Sequence, residues 1–136
     1  TPLGQKDLFI MYDSADGTVG NKQLKWLQKT LEWAKKQDFR HIVAGSHTHF
    51  FMRDGSQGVA TNYSIEETYT LLHLFQSYGV DILFTGHSHS REVTMFDEMT
   101  CIIIDSMTDS DKKPAYLIAT MGETIDYKFV ELPTKQ

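Results

Sequence analysis

The apolar positions of this chain fall into short continuous runs that alternate with stretches of helical period. Leu8-Phe9-Ile10-Met11-Tyr12 has the character of a buried strand, and Asp13-Ser14-Ala15-Asp16-Gly17 breaks it with turn formers. Leu24, Leu27, Leu31 and Ala34 then recur on one face, which predicts a helix from a cap at Asn21 to about Gln37. Trp26 and Trp33 flank that stripe and are expected to belong to a helix packed on a sheet. A second strand is predicted over 41–45, followed by a long polar loop from Ser46 to Tyr63, of the kind that often carries function. Ser64 and Glu67 have the spacing of a capping box and open a helix bearing Ile65, Tyr69, Leu72 and Phe75, which Gly79 ends. A third strand follows over 80–85.

Strand, helix, strand is a βαβ unit, so its two strands should be parallel with a right-handed crossover. Their carboxyl ends then share one rim, where open α/β sheets bind ligands. After residue 89 the pattern changes. Glu92 to Phe96, Thr100 to Ile104, Ala115 to Met121 and Thr124 to Val130 are predicted strands, with turns at Asp97-Glu98 and Gly122-Glu123. In the last of them Ile125, Tyr127 and Phe129 alternate with Asp126 and Lys128, as a half-buried strand does. The expected class is α/β, a βαβ unit followed by antiparallel strands, in one domain over 1–136.

Composition narrows the function classes. The chain has 136 residues, 40% hydrophobic and 23% charged, as ordinary globular domains do. A net charge of -5 offers no overall basic field for a phosphate backbone, so no nucleic-acid partner is expected. No apolar run reaches membrane-spanning length and no signal peptide is visible. The chain opens with Thr1 rather than Met, so the compartment stays open between cytoplasmic and exported. The one cysteine, Cys101, lies in an apolar strand and excludes both an internal disulfide and a thiolate zinc cluster.

Four of the six histidines stand just past two predicted strands. His47 and His49 follow the strand over 41–45, and His87 and His89 follow the strand over 80–85 in Gly86-His87-Ser88-His89. Neutral imidazole ligates zinc, iron, nickel and copper. Two histidines at i, i+2 on extended backbone point to the same side, about 6–7 Å apart. Such a pair serves one ion, or one ion each of a close metal pair. His41 at a strand start and His73 on a helix have ordinary structural settings. His49 is ambiguous between contact with ligand and exposure to solvent. Arg91 can meet a phosphate bidentately or be a solvated strand residue. Phe50 and Phe51 can stack on a leaving group or pack, with packing favoured for one of them.

These residues resemble the calcineurin-like metallophosphoesterases. Gly86-His87-Ser88-His89 is similar to that family's closing Gly-His-x-His motif, and His47 to the single histidine that precedes it by about forty residues. Gln23-Leu24-Lys25-Trp26-Leu27, after Tyr12-Asp13-Ser14, is similar to a Gln-Leu-x-Trp-Leu helix start in cyclic-nucleotide phosphodiesterases and purple acid phosphatases. The likeness covers about Leu8 to Val130.

The resemblance implies the carboxyl-terminal half of a β-sandwich flanked by helices. It implies a phosphoester substrate and two divalent or trivalent ions such as manganese, iron or zinc. His47 and His87 would bind one ion and His89 the other. The family usually has proline where this chain has His49. Its earlier motifs, Asp-x-His, Gly-Asp-x-x-Asp and Gly-Asn-His-Asp/Glu, do not occur, and Asp13, Asp16, Asp54 and Asp105 lack their contexts. The chain alone is therefore expected to bind metal weakly and turn over little. Its partner would be a missing amino-terminal half or a second copy of the chain. The alternatives are an incomplete fragment or interaction domain that keeps the fold, and a mononuclear three-histidine zinc hydrolase.

Overall fold

A computed structural model describes residues 6–14, 17–50, 63–105 and 114–133. The elements run β1 (Lys6–Met11), α1 (Gly20–Ala34), β2 (Phe39–Gly45), α2 (Ile65–Ser77), β3 (Ile82–Thr85), β4 (Glu92–Phe96), β5 (Met99–Ile103), β6 (Ala115–Met121) and β7 (Ile125–Glu131). Five strands form one sheet in the order β1-β2-β3-β5-β4, and β6 and β7 pair as a hairpin. Strands β1, β2, β3 and β5 are mutually parallel, and β4 runs antiparallel to β5.

The class is the expected mixed α/β one, with the two helix crossovers on one face of the sheet. Leu27 and Leu31 of α1 and Leu71 and Phe75 of α2 are fully buried, and they pack in one core with alternate residues of β1 to β3 such as Ile10, Ala44 and Leu83. Alternation sends the intervening residues, Phe9, Val43 and Ile82, to the opposite face. Val43 and Ile82 are buried there, whereas Phe9 and Met11 on the edge strand are 58% and 71% exposed. The β6–β7 hairpin lies against this second face. Glu123, Thr124 and Ile125 share a cavity of about 310 Å³ with His41, Ile82 and Thr100. Arg40 donates to Met121 O at 3.4 Å, and His41 Nε2 lies 3.1 Å from Gly122 O.

Several local expectations are corrected. Helix α1 ends at Ala34 rather than Gln37, and Asn21 does not cap it. Its first amides are held from outside: Glu67 Oε1 accepts from Val19 N–H at 2.7 Å, Gly20 N–H at 3.2 Å and the Thr18 hydroxyl at 3.1 Å. The capping box of α2 is consequently half a box. Ser64 Oγ accepts from Glu67 N–H at 3.1 Å, while the Glu67 carboxylate turns to the neighbouring helix. Gly79 closes α2 with φ +70°, a left-handed conformation that its missing side chain permits. β5 forms the predicted hairpin with β4 but also pairs parallel with β3, a long-range register that local pattern does not encode. Trp26 and Trp33 are 46% and 49% exposed, and only Trp33 reaches the sheet, its ring edge-on to Phe39 of β2 at a centroid distance of 5.4 Å. Tyr127 in β7 is exposed where alternation predicted partial burial. The loop over 46–63 lies mostly outside the described residues, as does Phe51. Phe50 packs on Tyr63 and Phe75, at ring-centroid distances of 5.3 and 6.3 Å.

Candidate metal centre

The parallel ladder continues past the ends of the strands and sets the site. Tyr12 N–H donates to Gly45 O at 3.0 Å, Ser46 N–H to Phe84 O at 3.0 Å, and Gly86 N–H to His47 O at 2.9 Å. The last of these bonds joins the two histidine segments directly. Gly45, just before the site, admits the Met11 side chain so closely that a Cβ would stand 2.8 Å from its sulfur.

The first segment is fixed by a buried serine that the sequence marked only as a turn former. Ser14 Oγ accepts from the backbone N–H of His47 at 3.1 Å and of Thr48 at 2.8 Å, and the Thr48 hydroxyl donates to Ser14 O at 2.6 Å. Gln23, at the start of α1, braces the same turn. It accepts from Asp13 N–H at 2.8 Å and donates to Asp13 O at 2.7 Å. The Gln-Leu-x-Trp-Leu likeness was the signal for Gln23. Nothing in the sequence distinguished Ser14 from its neighbours.

The second segment is bent by its own histidines. His87 and His89 adopt φ values of +70° and +51°, left-handed conformations unusual for residues with a side chain. Ser88 N–H donates to Gly86 O at 2.9 Å, and the hydroxyls of Ser88 and buried Ser90 are 2.8 Å apart. Backbone strain of this kind clusters where side chains are held for a task.

These two segments bring imidazoles together. His47 Nε2 lies 3.0 Å from His87 Nδ1, with the rings edge to face at a centroid distance of 5.0 Å. His49 is buried and its ring centroid lies 6.1 Å from that of His87. His47 and His89 are exposed. The His87 pKa is lowered from its ordinary value, first by desolvation and then by the nearby His47 and His89 rings. It is therefore held toward the neutral, ligating form. Two imidazole nitrogens on one tetrahedral zinc, each at about 2.0–2.1 Å, stand about 3.3 Å apart. The His47–His87 pair fits that requirement in chemistry and comes within a few tenths of an ångström of it in spacing. His89 does not complete it: among the described residues no three His, Cys, Asp or Glu side chains are arranged to hold a metal ion.

Arg91 is engaged elsewhere. Its Nε donates to Asp105 at 2.8 Å and its Nη1 to Glu131 at 2.9 Å, and Asp105 is almost wholly buried. The arginine thereby ties the start of β4 to Asp105, two residues beyond β5, and to the end of β7. His41 faces Asp81 at 3.9 Å at the opposite rim of the sheet, and His73 lies on the outer surface of α2. Cys101 is buried, with its thiol pushed up to about 11 by desolvation, and is an inert core residue.

Comparison with known proteins follows the same lines. No protein-family model matches the chain. A manganese-dependent ADP-ribose/CDP-alcohol diphosphatase of Arabidopsis thaliana is 31% identical over 90 residues, covering 65% of this chain and 27% of that protein. GAP50, the anchor in the inner membrane complex of Plasmodium, aligns with a TM-score of 0.57 at 22% identity, over 76% of this chain and 36% of that one. A 5'-nucleotidase-like structure from Staphylococcus aureus aligns with a TM-score of 0.56 at 16% identity, over 100% of this chain and 29% of that one. The chain thus spans 27–36% of the length of these relatives. With its helix-flanked parallel sheet and paired histidine loops, the chain carries the calcineurin-like metallophosphoesterase fold.

Proposed function

We propose that the chain supplies the histidine side of a metal centre in a metal-dependent phosphoester hydrolase. The observation that carries this reading is the 3.0 Å approach of His47 Nε2 to His87 Nδ1 across two separately folded loops at the carboxyl rim. The similarity to a manganese-dependent diphosphatase supports both the metal and a phosphoester or phosphoanhydride substrate. His47 and His87 would hold one ion and His89 a second, with the remaining donors coming from outside the described residues. Bound divalent ions supply an acidified water and neutralise phosphate oxygens. The chain's own part is to present the imidazoles, with His87 held toward its neutral form, and to fix their loops through Ser14 and the Gly86–His47 bond. His49 stands close enough to His87 to contact a bound substrate. Arg91, held by two carboxylates, acts on the architecture rather than on phosphate.

The apolar residues left open on the second face, Phe9 and Met11 on β1 with Val93 and Met95 on β4, favour a covering layer. That layer is an amino-terminal half of the same sandwich or, failing that, a second copy of the chain.

Calorimetric titration of manganese or zinc into the chain tests the site. Weak binding is expected, reduced at least tenfold by His47→Ala or His87→Ala. Equal binding by wild type and both variants overturns the assignment. Turnover of a phosphodiester that a chelator leaves undiminished overturns the metal-dependent reaction.

A further inference from the structure

The outward face of α1 has a composition that the histidine site does not use and the core touches only where Trp33 meets Phe39. At about 100° per residue, Lys22, Lys25, Trp26, Lys29, Trp33 and Lys36 fall within about 60° of one line along α1 and its carboxyl-terminal extension. All six are exposed, and no acidic residue of the helix falls in that sector. Glu32 lies beside it and accepts a hydrogen bond from Gln28 at 3.0 Å. A chain of net charge -5 thus concentrates four lysines and both of its tryptophans on one strip about 21 Å long. The tryptophans leave nearly half their surface in water, at 46% and 49% exposure, although one edge of Trp33 meets Phe39 at a centroid distance of 5.4 Å and buried leucines line the opposite side of the same helix.

We infer that this strip docks α1 lengthwise on an anionic lipid surface. Lysines attract acidic headgroups while their alkyl stems lie along the interface, and indole rings settle at the headgroup level with the N–H toward water. A nucleic-acid strip of this size would draw on arginine for bidentate phosphate and base contacts, and the strip has none. The docking is peripheral: among the described residues no helix is long and apolar enough to cross a membrane. Negative charge over the rest of the chain disfavours every other orientation toward the same surface. This inference stands apart from the reading of the histidine site, which lies at the rim of the sheet.

The chain carries its own probe, because its two tryptophans are Trp26 and Trp33. Vesicles of equal parts phosphatidylcholine and phosphatidylserine should shift their emission to the blue at low salt. High salt should reverse the shift, and phosphatidylcholine alone should produce none. Changing Lys22, Lys25, Lys29 and Lys36 to Gln should weaken partitioning by about fivefold per lysine, with helix content unchanged by circular dichroism. No shift with anionic vesicles at low salt overturns the proposal. So does an equal shift with neutral vesicles, or tighter binding to duplex DNA than to the anionic bilayer. Should the substituted chain fail to fold, the salt series on the unaltered chain decides alone.

Discussion

Ser14 and His47 come from the ends of adjacent strands, and the hydroxyl of one holds the backbone of the other at 3.1 Å. The same oxygen holds Thr48 N–H, so one buried side chain defines the direction in which the first histidine loop leaves the sheet. Ser14→Ala strands two partly or fully buried donors. It should cost about 1–3 kcal/mol, read as a fall in Tm of several degrees. Metal affinity should fall with it, although Ser14 is no ligand. An unchanged Tm would show that the loop has another anchor.

Glu67 is a sharper case of one side chain serving two helices. Glu67→Ala removes the acceptor at the start of α1 and should cost about 1–2 kcal/mol by urea unfolding. Ser64→Ala, which removes only the local cap of α2, should cost less. Glu67→Gln keeps an acceptor oxygen and should recover most of the loss. Equal losses for Gln and Ala would mean that charge, not hydrogen bonding, does the capping.

His87 links the site to pH. Burial, and then the neighbouring imidazoles, lower its pKa below the ordinary 6.5. The unfolded chain therefore binds that proton more readily than the folded one. Its contribution to stability is complete above about pH 6.5 and is lost as pH falls through the lowered folded value. Thermal melts from neutral to mildly acid pH should show Tm falling more in wild type than in His87→Asn, a residue that tolerates the left-handed backbone. Parallel curves would exclude His87 as the source.

Left-handed histidines carry a conformational cost that glycine does not. His89→Gly should relieve the cost of the left-handed backbone, worth up to about 1 kcal/mol, while weakening metal binding. Stabilisation together with loss of binding is the signature of strain kept for function. A destabilised variant would assign His89 a structural role instead.

Much of this was legible in the chain. Apolar runs and turn formers located the strands, β4 and β6 to the residue, because a strand pair with a local turn is encoded by neighbours. The βαβ rule also places residues 47 and 87 at one rim, where their rings meet. What pattern could not supply was contact across distance. Glu67 caps a helix that starts 47 residues before it, and β5 inserts between β3 and β4. Arg91, open as a phosphate ligand in the sequence, spends its donors on Asp105 and Glu131. The tryptophans obeyed helical period but not the rule that large apolar side chains go inside.

The carboxylate of Glu67 has a bearing on how the molecule is built. The N-cap of helix α1, Val19, offers no side-chain acceptor, and apart from Thr18 Oγ1, which accepts from Gly20 N–H at 3.2 Å, the start of the helix relies on Glu67 of α2. The two crossovers should therefore order together. Amide protons of Val19 and Gly20 would then exchange with solvent on the timescale at which the second crossover detaches, not on that of an independent helix end.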